Sequence, residues 1–185
     1  ISGSWEELGG SCPEDELLLP LLTHSNLTAW NPPRNPVAQV LYPYDLEKER
    51  QTLLDLTGYP KTRAYFAQHE ARLRSRTYVT DAGREWYEIW VPQKPALWRA
   101  PKIVFPDISE LPRFAIDRSG AIVNGDCYWI SIPELPSEDI AHLMVGVANS
   151  ALAVEFYDHV CGNKLYSGRR RWITQYVNLL PVPEP

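Results

Sequence analysis

Two stretches of the chain interleave cations with aromatic and small polar residues. Arg72-Leu73-Arg74-Ser75-Arg76 leads through Tyr78 to Arg84, Trp86 and Tyr87, and Lys164-Leu165-Tyr166-Ser167-Gly168-Arg169-Arg170-Arg171-Trp172 has the same flavour. Arginine and lysine neutralise phosphates, and arginine also donates two hydrogen bonds to the major-groove edge of guanine. Aromatic and small polar side chains supply the remaining contacts of such a surface. The bland alternative is that Trp86, Tyr87 and Trp172 are core and the arginines are merely solvated.

Other chemistry is thinly represented. Asn31-Pro32-Pro33 has the form of a turn that accepts hydrogen bonds from the amine of a flipped base, but Arg34 follows where an aromatic should stack. The glycine-rich turn that such chemistry also needs is missing, since Gly9-Gly10 lies in an acidic, irregular arm. No GxSxG motif occurs, and His24, His69, His142 and His159 are scattered without metal-ligand spacing. Cys12, Cys127 and Cys161 give neither a disulfide framework nor a zinc cluster, and their odd count fits a reducing cytosol. Asp107, Asp117 and Asp126 are spaced for loops after strands, where turn carboxylates are commoner than a hydrolytic pair. The reading assigns no catalytic residue and no metal to this chain.

Net charge is −5, from 18 basic and 23 acidic residues, which argues at first against a polyanionic partner. The distribution changes that. Residues 1–60 carry 3 basic and 9 acidic side chains, residues 61–118 carry 11 and 7, and residues 119–185 carry 4 and 7. Within the last third, Cys161–Tyr176 holds Lys164, Arg169, Arg170 and Arg171 with no acid, so two basic islands stand in an acidic background. With 44% hydrophobic and 22% charged residues among 185, the composition is that of a folded chain with a proper core. The longest greasy patch, Leu17–Leu22, is interrupted by Pro20, so no membrane partner is expected. The chain opens on Ile1 and its only methionine is Met144, which suggests a piece of something longer.

These residues must be held by short elements, because seventeen prolines punctuate the chain. Residues 1–36 read as an irregular arm with at most a short helix begun by Glu14-Asp15-Glu16 and ended at Pro20. Val37–Tyr42 is a strand candidate and Leu46–Leu56 could be helical. Pro60 opens a helix running through Arg76. Trp86–Val91, Lys102–Phe105, Arg113–Asp117, Cys127–Ser131 and Trp172–Val177 read as strands, with Ser119-Gly120 as a hairpin turn between Ile116 and Ile122. Ser137 caps a helix to about Tyr157 that buries Ile140, Leu143, Met144, Val147, Leu152 and Phe156. The expected class is α+β, with a mixed, mainly antiparallel sheet and packed helices.

The order of these segments resembles the TaqI-like C-terminal specificity, or target-recognition, domain of adenine-specific DNA methyltransferases, often fused restriction–modification enzymes. The pieces are Leu21-Leu22-Thr23 with Leu27-Thr28-Ala29-Trp30, Leu41-Tyr42-Pro43-Tyr44-Asp45, Pro60 with Tyr65-Phe66, Trp86-Tyr87-Glu88, Pro101–Ser109, Arg113–Asp117, Tyr128-Trp129-Ile130, Gly146–Ser150 and Leu179–Pro183. His24 and Ala148 depart from the family pattern. The resemblance covers roughly residues 20–183.

It implies an entry arm over 1–36 and a target-recognition domain over 37–185 that binds double-stranded DNA and is not catalytic alone. S-adenosylmethionine would belong to the catalytic domain of the same parent chain, a second partner, and the location would be the bacterial cytoplasm. On chemical grounds Arg72, Arg74, Arg76 and Lys102 are the phosphate candidates. Arg84, Arg113, Lys164, Tyr166, Arg169, Arg170 and Arg171 are candidates for groove or backbone contact. A stand-alone hydrolase, or an aromatic-rich module binding protein or carbohydrate, are the competing functions.

Overall fold

The computed structural model describes residues 12–31, 38–162 and 164–183. Gly9-Gly10, Pro32-Pro33 and Val37 of the motifs above lie outside them. In chain order the strands are β1 (Leu18–Leu22), β2 (Gln39–Leu41), β3 (Lys102–Pro106), β4 (Ile108–Ser109), β5 (Ala115–Asp117), β6 (Ile122–Val123), β7 (Cys127–Ser131) and β8 (Arg170–Arg171). The α-helices are α1 (Pro60–Gln68), α2 (Glu70–Arg74), α3 (Thr77–Thr80), α4 (Glu138–Ala148), α5 (Ala151–Phe156) and α6 (Thr174–Val177), so the fold is α+β as expected. Among the described residues, those of Ile1–Leu19 with Val40–Ala96 form one compact unit, and those of Pro20–Gln39 with Leu97–Pro185 form a second.

The first unit is helical and loop-rich. Glu14 lies just before a single 3-10 turn (Asp15–Leu17) and caps α1 from far along the chain: its carboxylate accepts from the Lys61 and Thr62 N–H groups, each at 2.8 Å, and from the Thr62 hydroxyl at 2.6 Å. Burial acts against the charge, but these donors prevail and hold the carboxyl down at about 2. The helix expected to run through Arg76 breaks at His69 into α1 and α2 and ends at Arg74, and α3 starts afresh beyond Arg76. Leu46–Leu56 contains no α-helix. Asp45 N–H donates to Thr52 O, Leu54 N–H donates to Pro43 O, and Tyr44 bridges Leu53, so the segment folds back on itself. Trp86–Val91 is likewise not a strand, for a reason that concerns the arginines below.

The second unit carries the sheet. β3 lies centrally, antiparallel to β5 and β7, with Ile103 opposite Ile116 on one side and Ile130 on the other. All five β3 residues are buried, which is why this run reads as continuously apolar apart from Lys102. Ile103, Phe105, Phe114, Val145, Tyr157 and Trp172 anchor the core, and Phe105 stacks on Phe114 with centroids 4.4 Å apart.

Ser137 does cap α4, its hydroxyl accepting from Ile140 N–H, with Glu138 and Asp139 in the first turn. The helix then stops at Ala148 instead of reaching Tyr157. Asn149 leaves it to clamp the strand entry: its Oδ1 accepts from Phe114 N–H at 2.9 Å and its Nδ2 donates to Phe114 O at 2.8 Å. Ser150 caps α5 anew. The wholly buried positions are Ala141, Val145, Ala148, Ala153 and Tyr157, and Leu152 is exposed, so the buried face sits about one position from the expected one.

Ser119-Gly120 makes its turn, with Gly120 at φ +77°, but no hairpin follows. β6 leaves β5 and pairs in parallel with β1, Leu21 opposite Ile122. Thr174–Val177 is one helical turn, the strand character being confined to Arg170–Arg171.

Candidate nucleic-acid interface

In the first unit the basic stretch is tied down by its own surroundings. Arg76 donates from Nη2 to Trp86 O at 2.7 Å and from Nε to Leu73 O at 3.2 Å. Arg84 donates to Trp90 O at 2.6 Å and to Ile89 O at 3.3 Å. Guanidinium groups thus occupy carbonyls of Trp86–Trp90 that a strand would have used for a ladder, and the alternating residues fold as turns. Arg74 pairs with Glu70 at 2.6 Å and lies 5.1 Å from the Trp86 ring centre. Arg72 is exposed and holds no ion pair among the described residues.

Arg84 covers Trp90 at 5.2 Å, and Tyr78 meets Trp90 edge-on, leaving both rings about half exposed. Nothing in the residue order singles out this exposed aromatic pair. A groove of about 780 Å³ in the same unit is lined by Leu54–Thr57, Phe66, Trp86 and Tyr87 among others.

The second unit overturns two of the expected contacts. Lys102 is not available to phosphate. Its side chain is fully buried, with Nζ 2.9 Å from Asp117 Oδ2 on the neighbouring strand and 2.8 Å from Trp98 O. Burial pushes the ammonium group's pKa down and the Asp117 carboxylate pushes it back up. Arg170 is not available either. At 7% exposure it makes a two-pronged ion pair with Asp158 (2.5 and 2.7 Å) and donates to the carbonyls of Glu110 and Gly168.

The other cations of that stretch divide sharply. Lys164 shares Asp158 at 3.3 Å, and Arg171 pairs with Asp107 at 3.1 Å. Both remain about half exposed. Arg169 is exposed and holds no ion pair among the described residues. The stretch without acids in sequence therefore finds its acids in space.

What these pairs build is a presented loop. Lys164 bridges Arg170, Leu165 N–H donates to Arg169 O at 2.7 Å, and between them Ser167 and Gly168 adopt φ +59° and +71°. A non-glycine residue in this left-handed region is costly and persists only where its surroundings impose it. Here the Arg170–Asp158 pair and β8, paired with β4 (Ile108 opposite Arg171), impose it. Beneath, Trp172 is wholly buried and its indole donates to Ser109 Oγ at 2.9 Å. Tyr166, 80% exposed, stands at the loop tip.

Beside the loop lies a cleft of about 430 Å³ lined by His24, Ile108, Ser109, Glu110, Leu111, Arg113 and Arg169. Arg113 is half-buried and steadied by donation to Leu27 O at 3.1 Å. Arg113 and Arg169 are candidates from the sequence, whereas His24, Ile108, Ser109, Glu110 and Leu111 escape it, because no local pattern links position 24 to 108–111.

The residues of the competing functions are otherwise committed. Asp107, Asp117 and Asp126 are each engaged by a different partner, Arg171, Lys102 and His24 respectively. Among the described residues no group of three or more histidine, cysteine or acidic side chains is placed to hold a metal ion. Trp98 and Trp172 are buried, Trp86 and Trp129 half-buried.

The whole chain is similar to a portion of type II methyltransferases, although no family model matches it. It is 38% identical over 187 aligned residues to the type II methyltransferase M.BanIII of Aneurinibacillus aneurinilyticus, covering all of this chain and 32% of that protein. It is 22% identical over 176 residues to M.BstVI of Geobacillus stearothermophilus (93% of this chain, 29% of that protein) and 28% identical over 145 residues to M.XhoI of Xanthomonas vasicola (78% and 25%). The chain thus spans no more than about a third of the length of the curated relatives it matches.

Proposed function

We propose that this chain is the DNA target-recognition part of an adenine-specific type II methyltransferase, binding duplex DNA without catalysing methyl transfer itself. The observation that supports the reading is the similarity of the whole chain to one portion of a type II methyltransferase. It is supported by a rigidly anchored loop that offers Tyr166 and Arg169 to solvent. Methyl transfer from S-adenosylmethionine, a nuclease if one is fused, and the site where the two meet would belong to the rest of the parent chain.

Arg72, Arg74 and Arg76 are proposed to face phosphates, with Arg72 the most available. Arg113, Arg169 and Tyr166 are proposed to face the groove, while Lys164, Arg171 and Arg84 add positive potential from the edges of their ion pairs and carbonyl contacts. His24, which lines the cleft with Arg113 and Arg169, supports a recognition domain that starts nearer Pro20 than the expected 37.

Duplex binding by this chain, followed from about 50 to 200 mM salt, tests the proposal. Several phosphate contacts give a log–log slope of several units. A slope near zero refutes DNA binding by this surface.

A further inference from the structure

The proposed function leaves open which part of the surface distinguishes one base pair from another. We infer that the cleft between Arg113, Arg169 and Glu110 reads a G·C pair in the major groove. This inference rests on the DNA-binding reading and makes it specific.

The cleft's composition decides between a base edge and a phosphate. A phosphate site calls for donors alone, and a carboxylate within it opposes the ligand. Here Glu110 sits with the two arginines, and Ile108 and Leu111 are exposed at 37% and 63%. A G·C pair uses the charged groups: guanine offers O6 and N7 to an arginine fork and cytosine offers its N4 amine to a carboxylate, while Ile108 and Leu111 suit the C5-methyl of a neighbouring thymine.

Arg169 is the reader in this arrangement, because among the described cations of its stretch it alone has no acid to satisfy it. Its approach is fixed from behind: the left-handed Ser167-Gly168 turn precedes it, and Arg170, buried against Asp158, follows it. Arg113, held by Leu27 O, backs the same edge. The Leu27 O contact limits the rotamer freedom that Arg113 loses on meeting a base, and the held backbone on either side of Arg169 sets the direction from which its side chain reaches.

The test is selection of duplexes by this chain from a randomised pool, followed by competition binding with Arg169→Ala and Glu110→Gln. The wild-type chain should select at least one invariant G·C pair. Arg169→Ala should lower the preference at that pair by about 5- to 150-fold, the equivalent of about 1–3 kcal/mol per bidentate contact, while its affinity for scrambled duplex changes little. Glu110→Gln should relax the same position. Replacing the guanine by 7-deazaguanine, which removes N7 and keeps O6, should shrink the difference between wild type and Arg169→Ala.

If Arg169→Ala instead weakens all duplexes equally and lowers the salt slope by about one, Arg169 is a phosphate contact; the base-reading inference then fails while the proposed function stands. If the wild-type chain shows neither sequence preference nor salt dependence, the proposed function falls, and this inference with it.

Discussion

Replacing Lys102 with methionine keeps an unbranched side chain, one atom shorter, and removes its charge from the centre of the second unit. In the native structure Nζ lies 2.9 Å from Asp117 Oδ2, with the two side chains 0% and 2% exposed. Asp117 also accepts from Ser119 through its other oxygen, from N–H at 3.1 Å and from the hydroxyl at 2.6 Å. Those donors satisfy Oδ1 but leave the charge on Oδ2 without a cation. Removing one partner of such a buried pair costs about 3–5 kcal/mol, a large part of the roughly 5–15 kcal/mol by which a domain is typically stable.

Asp117→Asn in the Lys102→Met background removes the stranded charge and keeps an acceptor for Ser119, so the double variant should recover about 2 kcal/mol or more. Urea unfolding followed by far-UV circular dichroism measures each difference, with unchanged m-values as the control on the denatured state. A Lys102→Met chain within about 1 kcal/mol of wild type, with duplex affinity reduced, would refute the burial argument and return Lys102 to the DNA-facing surface.

The loop around Tyr166 gives a prediction whose sign is diagnostic. Asp158→Asn removes a negative charge, which by long-range electrostatics alone should strengthen DNA binding. We expect roughly tenfold weaker binding, about 1.4 kcal/mol, because Arg170 and Lys164 lose the carboxylate that orders the loop; titration at fixed salt reads it. Asn149→Ala should destabilise the chain by about 2 kcal/mol, since Phe114 N–H loses its partner and Phe114 O keeps only the Trp30 N–H, and chemical denaturation measures it.

Glu14 sets a pH dependence. Its carboxyl stands at about 2 in the folded chain against an ordinary 4.5, so the unfolded state binds more protons between those values. Its contribution is complete above about pH 4.5 and is lost as pH falls towards 2. The gap in urea midpoint between wild type and Glu14→Ala should therefore be constant from about pH 7 to 5 and close below it. A gap that persists unchanged at about pH 3 would overturn this assignment.

The α+β class and the central strands β3, β5 and β7 were legible because each is a local property. Lys102–Phe105 and Cys127–Ser131 are β-rich runs bounded by turn residues, and Ser137 with Glu138-Asp139 announces the start of α4 whatever surrounds it. The length of that helix was not local, because Asn149 ends it to reach the backbone of Phe114, 35 positions away. Trp86–Val91 alternates like a strand and lost that fate to Arg76 and Arg84, whose guanidinium groups take its carbonyls.

The presence of two cationic stretches is written in the order of residues. Which of those cations remain free is decided only by folding, because a charge is neutralised by whatever lies within a few ångströms. Asp158 and Asp107 reach Arg170 and Arg171 across 12 and 64 positions, and Asp117 reaches Lys102 across two paired strands. Arg169, drawn from the same run of three arginines, is left to solvent, with no ion pair among the described residues.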